Sequence, residues 1–413
     1  MREACIQAKI IRSDDPTQLI LALEPEAASL DCRQRDLSEF VDETLNGTPP
    51  EVIACNGPTY MIIDNGGGTV DITVHTINNQ AVDEVYQPTG GAWGGINVET
   101  EFENLIIFLF GAKFISNFKQ NSPAEWLEMM ADFEMKKRSP QFVSSKASTR
   151  IRLPHAFFMN GSLMARAKGQ YKPCDVKLHN GYLILSYEVM SNLFLAPVEN
   201  IIKHVETLVN DDKLKNLSII YLVGGFSESR LLTKRFEEKF GSKYRIMIPL
   251  DASLCVVKGA VLFGLNTKAV QTRICPYTYG SDVSERCDNV KCNKKYAVTQ
   301  RGVCYCMVFR TLATKGEKIK VGDTRSFKYC PLFPDQTSVC FGFYTTIKDS
   351  VKYVREPYVK KIAEIILPSP DTTKGKSRLL KLDIEFGNTE IKVTTLDKES
   401  GNVKHLSLDF VKG

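Results

Sequence analysis

The sequence predicts an α/β protein in two parts, residues 1–270 and 271–413, the second smaller and built from antiparallel strands. Three patterns lead there. Helical and strand-like runs alternate from Met1 to about Gly264, as they do in an α/β domain. Between Arg273 and Tyr329 proline, cysteine and charge become frequent and helical periodicity disappears. From Leu380 to Phe410 apolar and polar residues alternate between turn residues, which is the period of a half-buried antiparallel sheet.

In chain order, Gln18 to Leu23 reads as a short apolar strand. Tyr60 to Ile63 and Ile72 to Ile77 read as two strands around Asp64-Asn65-Gly66-Gly67-Gly68-Thr69-Val70-Asp71. Ala124 to Arg138 is an amphipathic helix with Trp126, Met130 and Phe133 on one face. Leu217 to Val223 is a buried-strand run ending in Gly224-Gly225, and Ser229 to Phe240 is the helix after it. Ala252 to Leu265, apolar and rich in small residues, reads as a buried helix. In the last part Leu380, Leu382, Ile384 and Phe386 alternate with Lys381, Asp383 and Glu385. Gly387-Asn388 turns the chain, Ile391 and Val393 continue it, and Leu406, Leu408 and Phe410 form a third strand.

Composition excludes little but bounds the class. With 413 residues and 43% hydrophobic content, the chain is long enough for two or three domains with a sizeable core. A net charge of +5 without a clustered basic face gives no argument for nucleic acid or an anionic membrane. Met1-Arg2-Glu3-Ala4-Cys5 has no apolar h-region. Leu105 to Phe110, the most apolar stretch, is far shorter than the roughly 20 residues of a membrane span. The expectation is a soluble cytoplasmic protein without a membrane span, its cysteines mostly reduced. Cys287, Cys292, Cys304 and Cys306 can offer four thiolates to zinc. Their spacing is not the usual Cys-x2-Cys knuckle, so they read as a loop with free thiols.

The glycine turn carries the chemistry. Consecutive glycines open backbone conformations closed to other residues and leave no side chain in the way. Successive N–H groups can then converge on an anion. Thr69 adds a hydroxyl, while Asp64 and Asp71 can hold a hydrated Mg²⁺, which keeps several waters and touches few carboxylates. No Gly-Lys-Ser/Thr follows and a strand comes next, so this is not a P-loop. A tight hairpin turn with glycines chosen for positive φ explains the same residues, and both readings stand at this point.

Asp-x-Gly-Gly-Gly-Thr-x-Asp resembles the second phosphate motif of the actin, sugar-kinase and 70-kDa heat-shock protein superfamily. Glu24-Pro25-Glu26-Ala27-Ala28-Ser29 resembles its connecting motif, and Trp93-Gly94-Gly95-Ile96-Asn97 its Gly-Gly-Glu-Asp segment. Leu222 to Ser227 resembles its adenosine motif, and Asp251 to Gly264 the helix that follows. Phe133 to Arg138, Tyr277 to Gly280 and Phe386 to Lys392 are similar to the divergent heat shock 70 kDa protein 12 subgroup. The resemblance runs over nearly the whole chain.

It implies an actin-like, ribonuclease-H-like nucleotide-binding domain whose two lobes close over ATP or ADP with Mg. Asp64, Gly66, Gly67, Gly68 and Thr69 then lie at the β- and γ-phosphates. Asp64 and Asp71 would hold Mg²⁺ through water, and Glu24 matches the glutamate near metal and attacking water. Gly94 and Gly95 match a nucleotide-contacting segment. Gly224, Gly225 and Ser227 match the adenosine pocket, and Glu134 and Lys137 the ribose and adenine contacts of the opposite lobe. Asn65, Phe226, Glu228 and Ile96 depart from the family pattern. The family's first phosphate hairpin, Asp-x-Gly-Thr-Thr/Ser, and its early hydrolytic lysine have no counterpart before Glu24, so the nucleotide domain is expected to be N-terminally incomplete. The last part resembles a reduced substrate-binding region, which implies protein or peptide clients. Two functions compete: a nucleotide-binding heat-shock-70-like protein with weak or absent hydrolysis, and a non-enzymatic interaction scaffold that no longer binds nucleotide. A sugar kinase is disfavoured by the C-terminal sheet.

Overall fold

A computed structural model of the chain describes residues 2–12, 18–42, 58–78, 81–139, 145–159, 172, 174–287, 292–387 and 389–410. Asn388, expected in a turn, lies outside them. The described helices are α1 (Arg2–Gln7), α2 (Glu24–Gln34), α3 (Ile96–Phe110), α4 (Ala112–Asn121), α5 (Pro123–Arg138), α6 (His155–Phe158), α7 (Tyr187–Asn192), α8 (Leu195–Val209), α9 (Arg230–Phe240) and α10 (Cys255–Leu265). The chain forms two compact units. One takes Glu24–Thr73 and Thr89–Leu262, the other Met1–Leu23, Val74–Pro88 and Phe263–Gly413.

The first unit is organised on β1 (Phe40–Asp42), β2 (Thr59–Asn65), the start of β3 (Val70–Asn78) and the end of β4 (Ala81–Gly91). It adds a small antiparallel sheet of β5 (Thr149–Arg152), β6 (Val176–His179) and β7 (Tyr182–Leu185), then β8 (Leu217–Val223) and β9 (Arg245–Pro249). β2 and β8 pair in parallel, β8 pairs in parallel with β9, and β1 closes the edge antiparallel to β9. Every residue of β2 is buried, as expected of a parallel strand covered on both faces. α5 starts at Pro123, where a missing N–H is harmless. It buries Trp126, Met129 and Phe133, so Met129 rather than Met130 sits fully inside. Phe133 stacks on Phe102 of α3 with ring centroids 3.9 Å apart.

The second unit holds the rest of β3, the start of β4, β10 (Val270–Ile274), β11 (Thr278–Arg286), β12 (Ala297–Gln300), β13 (Val303–Ala313), β14 (Lys318–Lys320) and β15 (Thr324–Tyr329). It continues through β16 (Ser338–Thr346), β17 (Val359–Pro368), β18 (Leu380–Phe386), β19 (Glu390–Asp397) and β20 (Val403–Asp409). Two antiparallel sheets, ordered β12-β13-β11-β16-β17 and β15-β18-β19-β20, share one core. The alternating residues Leu380, Leu382, Ile384, Phe386, Ile391 and Val393 enter it beside Phe341, Phe343 and Leu367. The polar alternates stay outside, which is how sheet faces sort when two sheets pack.

Three expectations are corrected. Gln18 to Leu23 is irregular chain, not a strand. Its carbonyls are taken by side chains, Leu19 O by Arg2 (3.3 Å) and Leu21 O by Thr389 (3.2 Å), and among the described residues it joins no ladder. The 252–265 helix is buried on one face only. Cys255 and Phe263 are fully buried, while Val257, Val261 and Leu265 are 59%, 62% and 80% exposed; Gly259 backs onto Ala27 of α2. Cys287, Cys292, Cys304 and Cys306 are not scattered along a loop: their sulfurs meet in two close pairs, Cys287 with Cys304 and Cys292 with Cys306. Cys304 and Cys306 lie two apart on β13, so both reach the same face.

Candidate functional site

β2 ends by delivering Asp64 beside Val223 of β8, and the glycine turn follows at once. The Gly66 N–H donates to Thr69 O (3.0 Å) and closes the turn. Three further bonds hold it from behind. The amides of Gly95, Ile96 and Gly94 donate to the carbonyls of Gly66 (3.1 Å), Gly67 (2.8 Å) and Gly68 (3.2 Å). In a trans peptide the C=O and the following N–H point in opposite directions, and the described chain has no cis peptide. With those carbonyls turned toward the start of α3, the amides of Gly67, Gly68 and Thr69 point away from it. These three residues are exposed. The result is a row of outward donors, the form of an anion-binding nest.

The glycines divide into two kinds. A Cβ on Gly94 would lie 2.4 Å from Gly67 O, so only glycine lets this segment reach the turn. A Cβ on Gly67 or Gly68 meets nothing within 4 Å, because these positions face open space. The amides of Gly94 and Gly95 brace the turn through its carbonyls.

Three acids stand at this end of β2. Asp64 is 4% exposed. Burial first, then the charges of Glu24 and Asp71, push its carboxyl up to about 7. Glu24 is exposed in the first turn of α2, and Asp71 accepts from the Thr69 hydroxyl (2.9 Å). Among the described residues Asp64 has no ion-pair partner. A desolvated carboxylate beside two like charges is relieved by a cation, and this is where Mg²⁺ fits the residues present. The three acids do not form a trio of ligating atoms within 4.8 Å of one another, so a hydrated ion suits them better than a bare one.

The β8 side supplies the opposite wall. Gly224 has φ +83° and its N–H donates to Ala252 O (2.9 Å); a Cβ there would lie 2.3 Å from the Asp64 carboxylate. Gly225 is nearly free of neighbours, its nearest being Ser253 at 4.0 Å from a Cβ. Ser227 is turned inward: it is fully buried, donates to Val223 O (2.6 Å) and accepts from Asn65 Nδ2 (2.8 Å). Asn65, a departure from the family pattern, thus ties the end of β2 to the loop after β8. Glu134 and Lys137 are held by different partners. Lys137 donates to Glu99 (2.5 Å) and Gly95 O (3.1 Å), while exposed Glu134 pairs with Arg138 (2.6 Å). The buried Phe226 ring lies 3.4 Å from a Cβ built on Gly95.

One constellation escaped the sequence reading. Arg35, just past the end of α2 and with its side chain 6% exposed, joins Asp31 (2.7 Å) of that helix to Asp251 (2.5 Å) ahead of α10, and Lys258 adds a second bond to Asp251 (2.5 Å). The i,i+4 spacing of Asp31 and Arg35 was the available signal. Beside it, a Cβ on Gly259 would sit 1.7 Å from Ala27 O. The small residues of the 24–29 motif let α2 and α10 touch along their backbones, which holds Glu24 at the mouth of the turn.

No family model matches the chain. Whole-sequence comparison does find relatives. The chain is 31% identical to heat shock 70 kDa protein 12A of Mus musculus and of Homo sapiens over 460 residues, covering 100% of this chain and 68% of each relative. The chain belongs to the 70-kDa heat-shock protein family. Heat shock 70 kDa protein 12B of Homo sapiens is 29% identical with the same coverage, which places the chain with the divergent 12A/12B subgroup. Chaperone protein DnaK of Elusimicrobium minutum is 25% identical over 49% of the chain and 30% of its own length. For a 70-kDa heat-shock protein relative, a mixed α/β architecture with several sheets is in keeping. Among the described residues no helix is long and apolar enough to cross a membrane.

Proposed function

We propose that this chain binds ADP or ATP with Mg²⁺ on the Gly66–Thr69 turn. The observation that carries the reading is the set of outward amides at Gly67, Gly68 and Thr69, fixed by back-bonding to Gly94, Gly95 and Ile96. These amides would take the phosphate oxygens. Asp64, Asp71 and Glu24 would hold the hydrated ion, which supplies charge neutralisation when bound. Gly224 and Gly225 would leave room for the nucleoside.

Phosphoryl transfer needs several groups positioned together. Within these 413 residues the turn has no second phosphate hairpin of the Asp-x-Gly-Thr-Thr/Ser type to oppose it, so hydrolysis by this chain is proposed to be weak or absent. Protein or peptide clients for the sheets of residues 271–413 rest on family membership alone.

The test is a thermal shift with Mg–ADP and Mg–ATP beside a Gly67→Val variant. A ligand that binds only the folded state adds about 2.7 kcal/mol at a hundredfold excess over Kd. Since a Cβ at residue 67 meets no protein atom, the variant is expected to fold normally and lose the shift. A wild-type protein that melts cooperatively with no shift would refute nucleotide binding. That result would favour the second reading, an interaction scaffold. Its support is that Ser227, Lys137 and Glu134 all have protein partners already.

A further inference from the structure

Four cysteines of the second unit, paired across 17 and 14 residues of sequence, meet at one place. The Sγ atoms of Cys287, Cys292 and Cys306 lie within 4.8 Å of one another, and Cys304 Sγ is in bonding contact with Cys287 Sγ. The Cα atoms are 5.5 Å apart for Cys287 and Cys304 and 6.2 Å apart for Cys292 and Cys306. Three of the sulfurs are mutually close and the fourth touches one of them, so the four cysteines share one locus. A tetrahedral metal site requires it: with Zn–S bonds of about 2.3 Å, four sulfurs sit about 3.8 Å apart.

The geometry points to a tetrathiolate zinc site made by Cys287, Cys292, Cys304 and Cys306. Cys304 and Cys306 share one face of β13, which lies between β12 and β11. Cys306 is flanked in register by Glu285 of β11 and Ala297 of β12. Cys287 follows the last residue of β11, and its N–H donates to Cys304 O (3.0 Å), so the first ligand is fixed against the third. Cys292 comes in just before the turn that starts β12, where the Asn293 N–H donates to the Tyr353 hydroxyl (3.1 Å). Cys306 is fully buried and the other three are partly buried. The site therefore has the closed, four-protein-ligand character of structural zinc rather than an open catalytic position.

The other cysteines favour zinc over two disulfides. Cys32 and Cys255 are buried, their side chains hydrogen-bonded to each other, and remain thiols. Cys174, Cys330 and Cys340 are exposed thiols. A chain carrying that many unbridged thiols suits reducing conditions. There, each bridge would need an oxidant to accept two electrons, whereas zinc binding needs none. Zn²⁺ forms four Zn–S bonds as four S–H bonds lose their protons to solvent. The metal would lock the ends of β11 and β12 to β13 at one corner of the sheet.

The experiment uses the full chain purified under reducing conditions, then exposed to Zn²⁺ alone and desalted. Metal content is measured by mass spectrometry, and free thiols by alkylation of the denatured protein. About one zinc per chain is expected. Cys287, Cys292, Cys304 and Cys306 should all alkylate once the metal is chelated. Cys292→Ser and Cys306→Ser should each lose the metal, while Cys330→Ser keeps it. Should either variant fail to fold, Co²⁺ in the wild-type chain is the second readout, giving the intense visible bands of tetrahedral thiolate coordination. Absence of stoichiometric zinc, zinc that survives both variants, or recovery of Cys287–Cys304 and Cys292–Cys306 linked peptides from the reduced preparation would overturn the assignment.

Discussion

Asp64→Asn is expected to make the ligand-free protein more stable. Burial and the neighbouring Glu24 and Asp71 raise the Asp64 carboxyl from 3.8 to about 7 in the folded chain. Between those two values the folded state keeps a proton that the unfolded state has released. Stability therefore falls as pH rises from about 4 to about 7, and the loss is complete above 7. Each pH unit of that interval is worth about 1.4 kcal/mol, so the ionised carboxylate costs on the order of 4 kcal/mol at pH 8. Asparagine keeps the shape and removes the charge. Urea unfolding in EDTA, followed by tryptophan fluorescence, measures the difference, since Trp93 and Trp126 are the two tryptophans of the chain and lie in the same unit as Asp64. The gain of the variant should grow from pH 4 to pH 7 and then level off. If Mg–ADP binds as proposed, its presence should narrow or invert the order, because the proposed ion would rest on the wild-type carboxylate. A variant no more stable than wild type at pH 8, or a gain equal at pH 4 and pH 8, would refute the argument that Asp64 is a desolvated charge among like charges.

Other substitutions test the scaffold around the turn. Gly94→Ala places a methyl 2.4 Å from Gly67 O; it should cost about 1–3 kcal/mol and abolish any nucleotide-dependent shift, read by urea midpoint and melting. Arg35→Ala leaves Asp31 and Asp251 without their shared partner and should destabilise by about 3 kcal/mol or more in the same unfolding assay. Gly259→Val, 1.7 Å from Ala27 O at its Cβ, should force α2 and α10 apart, with a lower melting temperature and faster proteolysis near Glu24 as the readouts.

The backbone plan was legible where period and length agreed. Thr59–Asn65 and Leu217–Val223 are apolar runs too short for helices, and the alternation of 380–410 matches three paired strands. The glycine turn was legible as a turn because its residues are adjacent in sequence. What failed depended on partners far along the chain. Gln18 to Leu23 has a strand's composition, but Arg2 and Thr389 take the carbonyls a ladder would need. The helix 255–265 has a buried helix's composition, yet Val257, Val261 and Leu265 are exposed while Gly259 backs onto Ala27. Ser227 is adjacent in sequence to Gly224-Gly225 but its hydroxyl is claimed by Val223 and Asn65, 162 residues away in the latter case. The cysteine cluster is the short-range exception: positions 287–292 and 304–306 are near in sequence and were grouped there, but their meeting depends on how β11 pairs with β13.

The back-bonded glycine turn also bears on timing. Its peptide planes are oriented by protein donors before any ligand arrives, so the conformational entropy of ordering four residues, about 1–2 kcal/mol each, is lost when the chain folds. Arrival of a phosphate would then require no loop closure. Hydrogen exchange would record this asymmetrically: the amides of Gly94, Gly95 and Ile96 are protected from the outset, and those of Gly67, Gly68 and Thr69 exchange freely until an anion occupies them. On the proposed nucleotide-binding reading, the turn would act as a pre-set receptor, with encounter rather than rearrangement limiting how fast it fills.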